Sequence, residues 1–206
     1  MADDDVPSPI DLRDPVQAAE WEAETIRRRP YRPLFFAEMV RAVNGAFLQP
    51  VTVLDLGSGP GHLIEQLVRN CPVARYVALD FSEAMHALAR RRIGDSADQV
   101  AFVVRDFGQP HWWAGLPPFD VVVSMQSAHE LRHSRHLPAL LVQIREVLAP
   151  NGLFLYCDHY AEAGTAKHPD LFLDAAAQVR AVSEAGFSTP RVLLNTGGMA
   201  LIAARR

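Results

Sequence analysis

Three glycines at alternate positions, Gly57, Gly59 and Gly61, follow a short apolar run in the stretch VLDLGSGPGH, Val53 to His62. Glycines so placed let a ligand approach the backbone without a Cβ in between. A P-loop would need Gly-Lys followed by Ser or Thr, so that a lysine and a hydroxyl reach phosphate and metal. Neither stands here. A dinucleotide fingerprint would need G-x-G-x-x-G, but position 62 is histidine, so the spacing disfavours a nicotinamide dehydrogenase. Asp80 ends the next apolar run, RYVALD, where a carboxylate can accept from both hydroxyls of a ribose.

A second reactive stretch, SMQSAHELRHSRHL, begins at Ser124 and carries three histidines. His129-Glu130-Leu131-Arg132-His133 matches H-E-x-x-H, which on a helix of a zinc protease puts two imidazoles on one face with a glutamate base. Set between an apolar run and an amphipathic helix, the match reads as coincidence. Two chemical readings stay open. His129 can serve as a general base, since a free imidazole titrates near neutral pH. Alternatively His129, with His133, joins His159 or Asp158 in holding a divalent ion, and imidazole ligands favour a softer metal than magnesium. His136 reads as part of a solvated face.

Elements that can position these groups alternate along the chain. Two amphipathic helices, Pro15 to Arg29 and Leu34 to Phe47, precede the first apolar run, Val51 to Leu56. The glycine loop leads into a helix from Gly61 to Asn70. The strand RYVALD follows, and Ser82 then caps EAMHALARRR. VAFVV, FDVVVS and GLFLYCD give three more strands, the last set off by the turn residues Pro150-Asn151-Gly152 after a helix from about Arg135 to Leu148. A further helix reaches Ala185-Gly186. VLLN and MALIAA, separated by Thr196-Gly197-Gly198, then form a hairpin. Strands alternating with helices imply a parallel sheet covered on both faces, and the hairpin adds an antiparallel strand at one edge. Ligands in such sheets bind beyond the carboxyl ends of the strands.

Val53 to Gly61, with the acid at Asp80, Asp106 after the third strand, FDVVVS and VLAPNGLFLYCD, resembles the class I S-adenosylmethionine-dependent methyltransferases from Val51 to the end of the chain. The resemblance implies a three-layer α/β/α sandwich, with a mostly parallel seven-stranded sheet in the order 3-2-1-4-5-7-6 and the last strand antiparallel. It also implies S-adenosylmethionine as cofactor and S-adenosylhomocysteine as product. Asp55 is implied to organise the loop, and Gly57, Ser58, Gly59, Gly61 and His62 to line the cofactor. Asp80 would hold the ribose hydroxyls and Phe81 the adenine face. Asp106 would take the adenine amino group, the Phe107 amide a ring nitrogen, and Ser124 would lie beside the methionine ammonium. Gln126, His129 and His159 fall where the acceptor meets the methyl group. Gln126-x-x-His129-Glu130 departs at both carboxylates from the E-x-x-E-H of metal-using relatives, which puts magnesium in doubt.

Three regions are expected: a disordered tail over 1–14, a helical cap over 15–50 and a cofactor-binding core over 51–206. In RRRPYRPLFF the cap offers Tyr31 and Arg32 to the cofactor carboxylate or an anionic acceptor; a packing helix with a basic face is the other reading. The net charge of −4 speaks against a nucleic-acid partner. The acidic start and the lack of a long apolar run point to a cytoplasmic protein with no membrane partner. The expected function is methyl transfer to oxygen or nitrogen of a small molecule. RNA or protein methylation, and a non-catalytic S-adenosylmethionine-binding module, remain alternatives.

Overall fold

The computed structural model describes residues 5–161 and 169–206. Helices α1 (Pro15–Arg28) and α2 (Arg32–Ala46) come first, then β1 (Val51–Leu56), α3 (His62–Asn70), β2 (Val73–Asp80), α4 (Glu83–Ile93) and β3 (Val100–Val104). β4 (Phe119–Met125), α5 (Leu137–Val147), β5 (Leu148–His159), α6 (Ala175–Glu184), β6 (Ser188–Thr196) and β7 (Met199–Arg205) complete the chain. The seven strands form one sheet in the order β3-β2-β1-β4-β5-β7-β6. β7 runs antiparallel to β5 and β6, and the other pairings are parallel. The expected sheet order and antiparallel last strand are present, but β7 lies between β5 and β6, so the edge strand is β6 rather than the antiparallel one.

Strand alternation divides the core into two layers. Val53, Val121 and Val123 face Phe35, Met39, Val43, Ile64 and Leu67, on the side of α2 and α3. Leu54, Leu56 and Val122 face Leu141, Ile144 and Val182, on the side of α5 and α6. Both faces are covered, as a parallel sheet requires. The residues Pro150-Asn151-Gly152 do not separate helix from strand. β5 already starts at Leu148, which pairs with Phe119, and the register shifts before Val121 pairs with Leu153. Asn151, at φ 60, lies in this irregularity.

The cap is fastened to the core. Arg92 on α4 bonds Glu22 on α1 and the Pro60 carbonyl. Tyr31 packs over the hairpin turn, its ring 2.6 Å from where a Cβ on Gly197 would lie. The tail expected to be disordered is also held, over its described part. The Val6 N–H donates to the Arg132 carbonyl at 2.9 Å, and Arg132 returns bonds to the Val6 and Pro7 carbonyls. Asp5 meets Arg135 and His136, and the Ser82 hydroxyl donates to the Leu12 carbonyl. Residues 1–4 lie outside the described part. No described helix is long and apolar enough to cross a membrane.

Two glycines of the loop do different work. Gly61 caps α3 at φ +83, and a Cβ there would stand 2.9 Å from the Ala89 Cα and Cβ of α4. Gly59, at φ +55, has nothing within 4 Å of that position. Both substitutions to alanine carry the left-handed backbone penalty of about 1–2 kcal/mol, but only Gly61→Ala also pushes two helices apart. Gly61→Ala is therefore expected to melt clearly below Gly59→Ala in thermal unfolding. Equal melting temperatures would contradict this assignment.

Candidate active site

The glycine loop, the end of β2 and the end of β4 meet in one cavity of about 90 Å³ beyond the carboxyl edge of the sheet. The Asp80 carboxylate lies on its wall, aligned by backbone donors. The Gly59 N–H donates to Oδ2 at 2.8 Å and the Ser82 N–H to Oδ1 at 2.9 Å. Each oxygen keeps a further lone pair. Burial pushes this carboxyl up to about 6, against the backbone N–H groups of Gly59, Ser82 and Phe81, which favour its charge. Asp55 lies deeper and accepts the Tyr76 hydroxyl at 2.7 Å. Burial again dominates and raises it to about 7.

Ser58 and His62 also line this cavity, and their Oγ and Nε2 atoms are buried without partners among the described residues. The His62 ring stacks on Phe36 at 6.4 Å. Burial, with Arg92 and Arg32 nearby, lowers it to about 4, so it is neutral at physiological pH. Gly61 faces α4, away from this space. Ser124 is buried behind it, hydrogen-bonded to Ser127, whose hydroxyl donates to the Leu56 carbonyl at 2.6 Å. Ser127, rather than Ser124, lines the cavity, and its Cβ lies 2.3 Å from where a Cβ on Gly57 would stand.

A larger cavity of about 720 Å³ adjoins the first and shares Leu12, Phe81, Phe107 and Glu130 with it. Asp106 lies on its wall and accepts the Gly108 N–H at 2.8 Å. Arg13, from the tail, sits 4.4 Å from the centre of the Phe81 ring and 3.9 Å from the Asp106 carboxylate. The groups expected at an adenine are thus together, with the tail forming the opposite wall.

The cap contributes Arg32 and Arg29. Arg32 is 6% exposed, and its Nε and Nη1 have no partner among the described residues. Burial, then Arg29, lowers it to about 10, so it stays charged at neutral pH. A buried guanidinium that faces a cavity with two of its nitrogens unpaired among the described residues is a site for an anion. Tyr31, expected beside it, packs on the hairpin instead and is absent from both cavity walls. The triple arginine suggested a basic helix face, so neither the inward turn of Arg29 nor the contributions of Leu12 and Trp21 could be read from sequence.

His129 is where the structure departs most from expectation. The H-E-x-x-H residues form no α-helix: Ala128–Leu131 is a 3-10 turn, ended by Arg132 at φ 66. His133 lines a small cavity with His129, Asp158 and His159, but its Nδ1 accepts the Arg135 N–H. His129 Nδ1 lies 2.7 Å from Asp158 Oδ1 and its Nε2 lies 3.3 Å from Glu130 Oε1. Burial opposes its charge, but the two carboxylates outweigh burial and push the imidazole up to about 10. With both ring nitrogens directed at carboxylates, this arrangement favours the charged imidazolium over the free imidazole that the general-base expectation needs. His159 accepts the Gln126 amide at Nε2, 2.8 Å away, and burial lowers it to about 4. Among the described residues no group of three or more His, Cys, Asp or Glu is arranged to hold a metal ion. The metal expectation has no support in the site.

Comparison with known proteins bears on the family and the fold. A family model described as a methyltransferase domain matches residues 53–152. The chain is 33% identical over 141 residues to a trans-aconitate 2-methyltransferase of Yersinia pestis (strain Pestoides F), covering 68% of this chain and 47% of that protein. A Streptomyces avermitilis protein of the same name is 27% identical over 146 residues, covering 69% of this chain and 52% of that protein. The chain thus spans about half the length of these curated relatives. Among solved structures, a DhpI–SAH complex superposes with a TM-score of 0.72 at 22% identity, over 93% of this chain and 92% of that one. The N-methyltransferase NodS from Bradyrhizobium japonicum WM9 gives 0.68 at 16% identity, over 86% and 97% of the two chains.

Proposed function

Since this chain belongs to the class I S-adenosylmethionine-dependent methyltransferases, we propose that it transfers a methyl group to nitrogen or oxygen of a small-molecule acceptor. The observation that carries the reading is the Asp80 carboxylate, buried yet offering free lone pairs beside the open face of Gly59. The residues present fit the cofactor: hydroxyl acceptors at Asp80, an aromatic pair at Phe81 and Phe107, and a guanidinium at Arg32 whose Nε and Nη1 have no partner among the described residues. The relatives named for trans-aconitate support a small acceptor.

When bound, S-adenosylmethionine supplies a methyl group activated by its sulfonium. Asp80 would hold the ribose hydroxyls, and Asp106 with Phe107 would take the adenine edge. Arg32 would take the α-carboxylate. Leu12 from the tail and Trp21 from the cap give this cavity apolar wall. The protein's part is orientation: it holds nucleophile and methyl carbon in line, which removes the entropy cost of bringing them together.

The test is ligand-dependent stability. S-adenosylmethionine and S-adenosylhomocysteine at 100 times their Kd are expected to raise the melting temperature by about 5–10 °C. NAD at the same concentration is expected to give no shift, because the loop lacks the dinucleotide glycine at position 62. A shift with NAD as large as with S-adenosylhomocysteine would overturn the reading.

A further inference from the structure

The atom that receives the methyl group can be read from Gln126, on the premise that the methyl-transfer reading holds. Gln126 leaves β4 at φ 54, a costly conformation for a residue with a Cβ. Its main-chain N–H donates to the Cys157 carbonyl at 2.7 Å. Its side-chain nitrogen lies 2.8 Å from His159 Nε2. The direction of that bond follows from the amide. The group facing His159 Nε2 is the amide nitrogen, which can only donate, so Nε2 accepts and the ring carries its proton at Nδ1. Oε1 is therefore turned away from His159. It is buried, lacks any partner among the described residues, and belongs to a side chain on the cavity wall shared with Gly59, Asp80 and Arg32. A buried carbonyl oxygen without a donor is unfavourable, and a ligand donor removes that cost.

We infer that Gln126 Oε1 accepts a hydrogen bond from an N–H of the nucleophile, that the acceptor is an amine, and that His159 is the positioning residue that fixes the amide. The amine lone pair attacks the methyl carbon. The C–N bond forms as the S–C bond breaks with its electron pair going to sulfur, and the resulting ammonium later releases a proton to water. The bond to Oε1 strengthens as positive charge develops on nitrogen, so it favours the transition state over the ground state. No base is required in the cavity, which agrees with His129 having both nitrogens committed to carboxylates. A hydroxyl acceptor would need its proton removed. A carboxylate acceptor would set its oxygen against Oε1, lone pair to lone pair.

The experiment is calorimetry on the full chain with analogues of S-adenosylhomocysteine in which nitrogen replaces sulfur and bears a short arm. The arm ends in an amine, a hydroxyl or a carboxylate, so it probes the acceptor position whatever the natural acceptor is. The amine probe is expected to bind wild type at least about tenfold tighter than the carboxylate probe. Gln126→Met, of similar volume, is expected to abolish that preference and leave S-adenosylhomocysteine affinity within about threefold. His159→Phe, which leaves Gln126 in place but unheld, is expected to reduce the same preference, a readout that a merely structural loss would not single out. If Gln126→Met weakens S-adenosylhomocysteine as much as the amine probe, Oε1 serves the cofactor and the inference is overturned. A carboxylate probe that binds wild type as tightly as the amine probe overturns it too. Wild type that binds no S-adenosylhomocysteine would instead defeat the methyl-transfer reading itself.

Discussion

His129→Gln is expected to unfold with about 3–5 kcal/mol less stability than wild type, the usual cost of breaking a buried ion pair from one side. Asp158 is 1% exposed and accepts the His129 ring, the His129 N–H and the His159 N–H. The backbone bonds survive the substitution, but the counter-charge is lost and a buried carboxylate is left without a cation. Adding Asp158→Asn removes that charge, so the double variant should recover part of the loss. The pair also has a pH signature. The folded pKa of His129, about 10, lies above the free value of about 6.5. Its contribution is therefore fully present below about 6.5 and lost as pH rises through 10. Denaturant titrations should show wild type losing stability at alkaline pH, and His129→Gln should lack that component. A His129→Gln protein as stable as wild type, or a double variant no better than the single, would refute the ion-pair account. Raising the pH is not expected to rescue activity in the variant, because no proton-accepting role was lost.

The same residue shows where sequence stops informing. An imidazole read alone has a free pKa near neutrality, and a base role follows. What bears on its chemistry is Asp158, 29 residues further along, which the parallel pairing of β5 with β4 sets beside the end of β4. The zinc-like spacing fails for a local reason, since Arg132 adopts a left-handed conformation that breaks the helical turn between His129 and His133. Strand runs such as Val51 to Leu56, and the Ser82 cap, were legible because short-range preference and burial agree there. The tail was not. Acidic and proline-bearing, it reads as loose, and its bonds come from Arg132, Ser82 and Asp106, all far along the chain. Asp80 was legible in position, and its alignment by Gly59 and Ser82 follows from the strand-loop-helix geometry around it.

Asp80→Asn is expected to weaken S-adenosylmethionine binding by at least about 100-fold, equivalent to two charge-assisted hydrogen bonds of about 1.5 kcal/mol each. The substitution keeps the shape but removes the charge, and an amide N–H₂ must then face the N–H of either Gly59 or Ser82. The loop is disturbed at the place where the ribose would lie. Wild type should show a matching pH dependence. Asp80 has a folded pKa of about 6, raised mainly by burial, so its ionised form declines below that pH. Affinity should fall by up to about tenfold per unit as pH drops beneath 6, with one proton taken up on loss of the ligand. Stability without ligand runs the other way. The folded value exceeds the unfolded one of about 3.9, so this group's contribution is present below that value and lost as pH rises through 6. Calorimetric titrations from pH 5 to 8 on wild type and Asp80→Asn separate the two effects. A variant that binds within threefold of wild type, or a wild-type affinity flat across that range, would remove Asp80 from the ribose site.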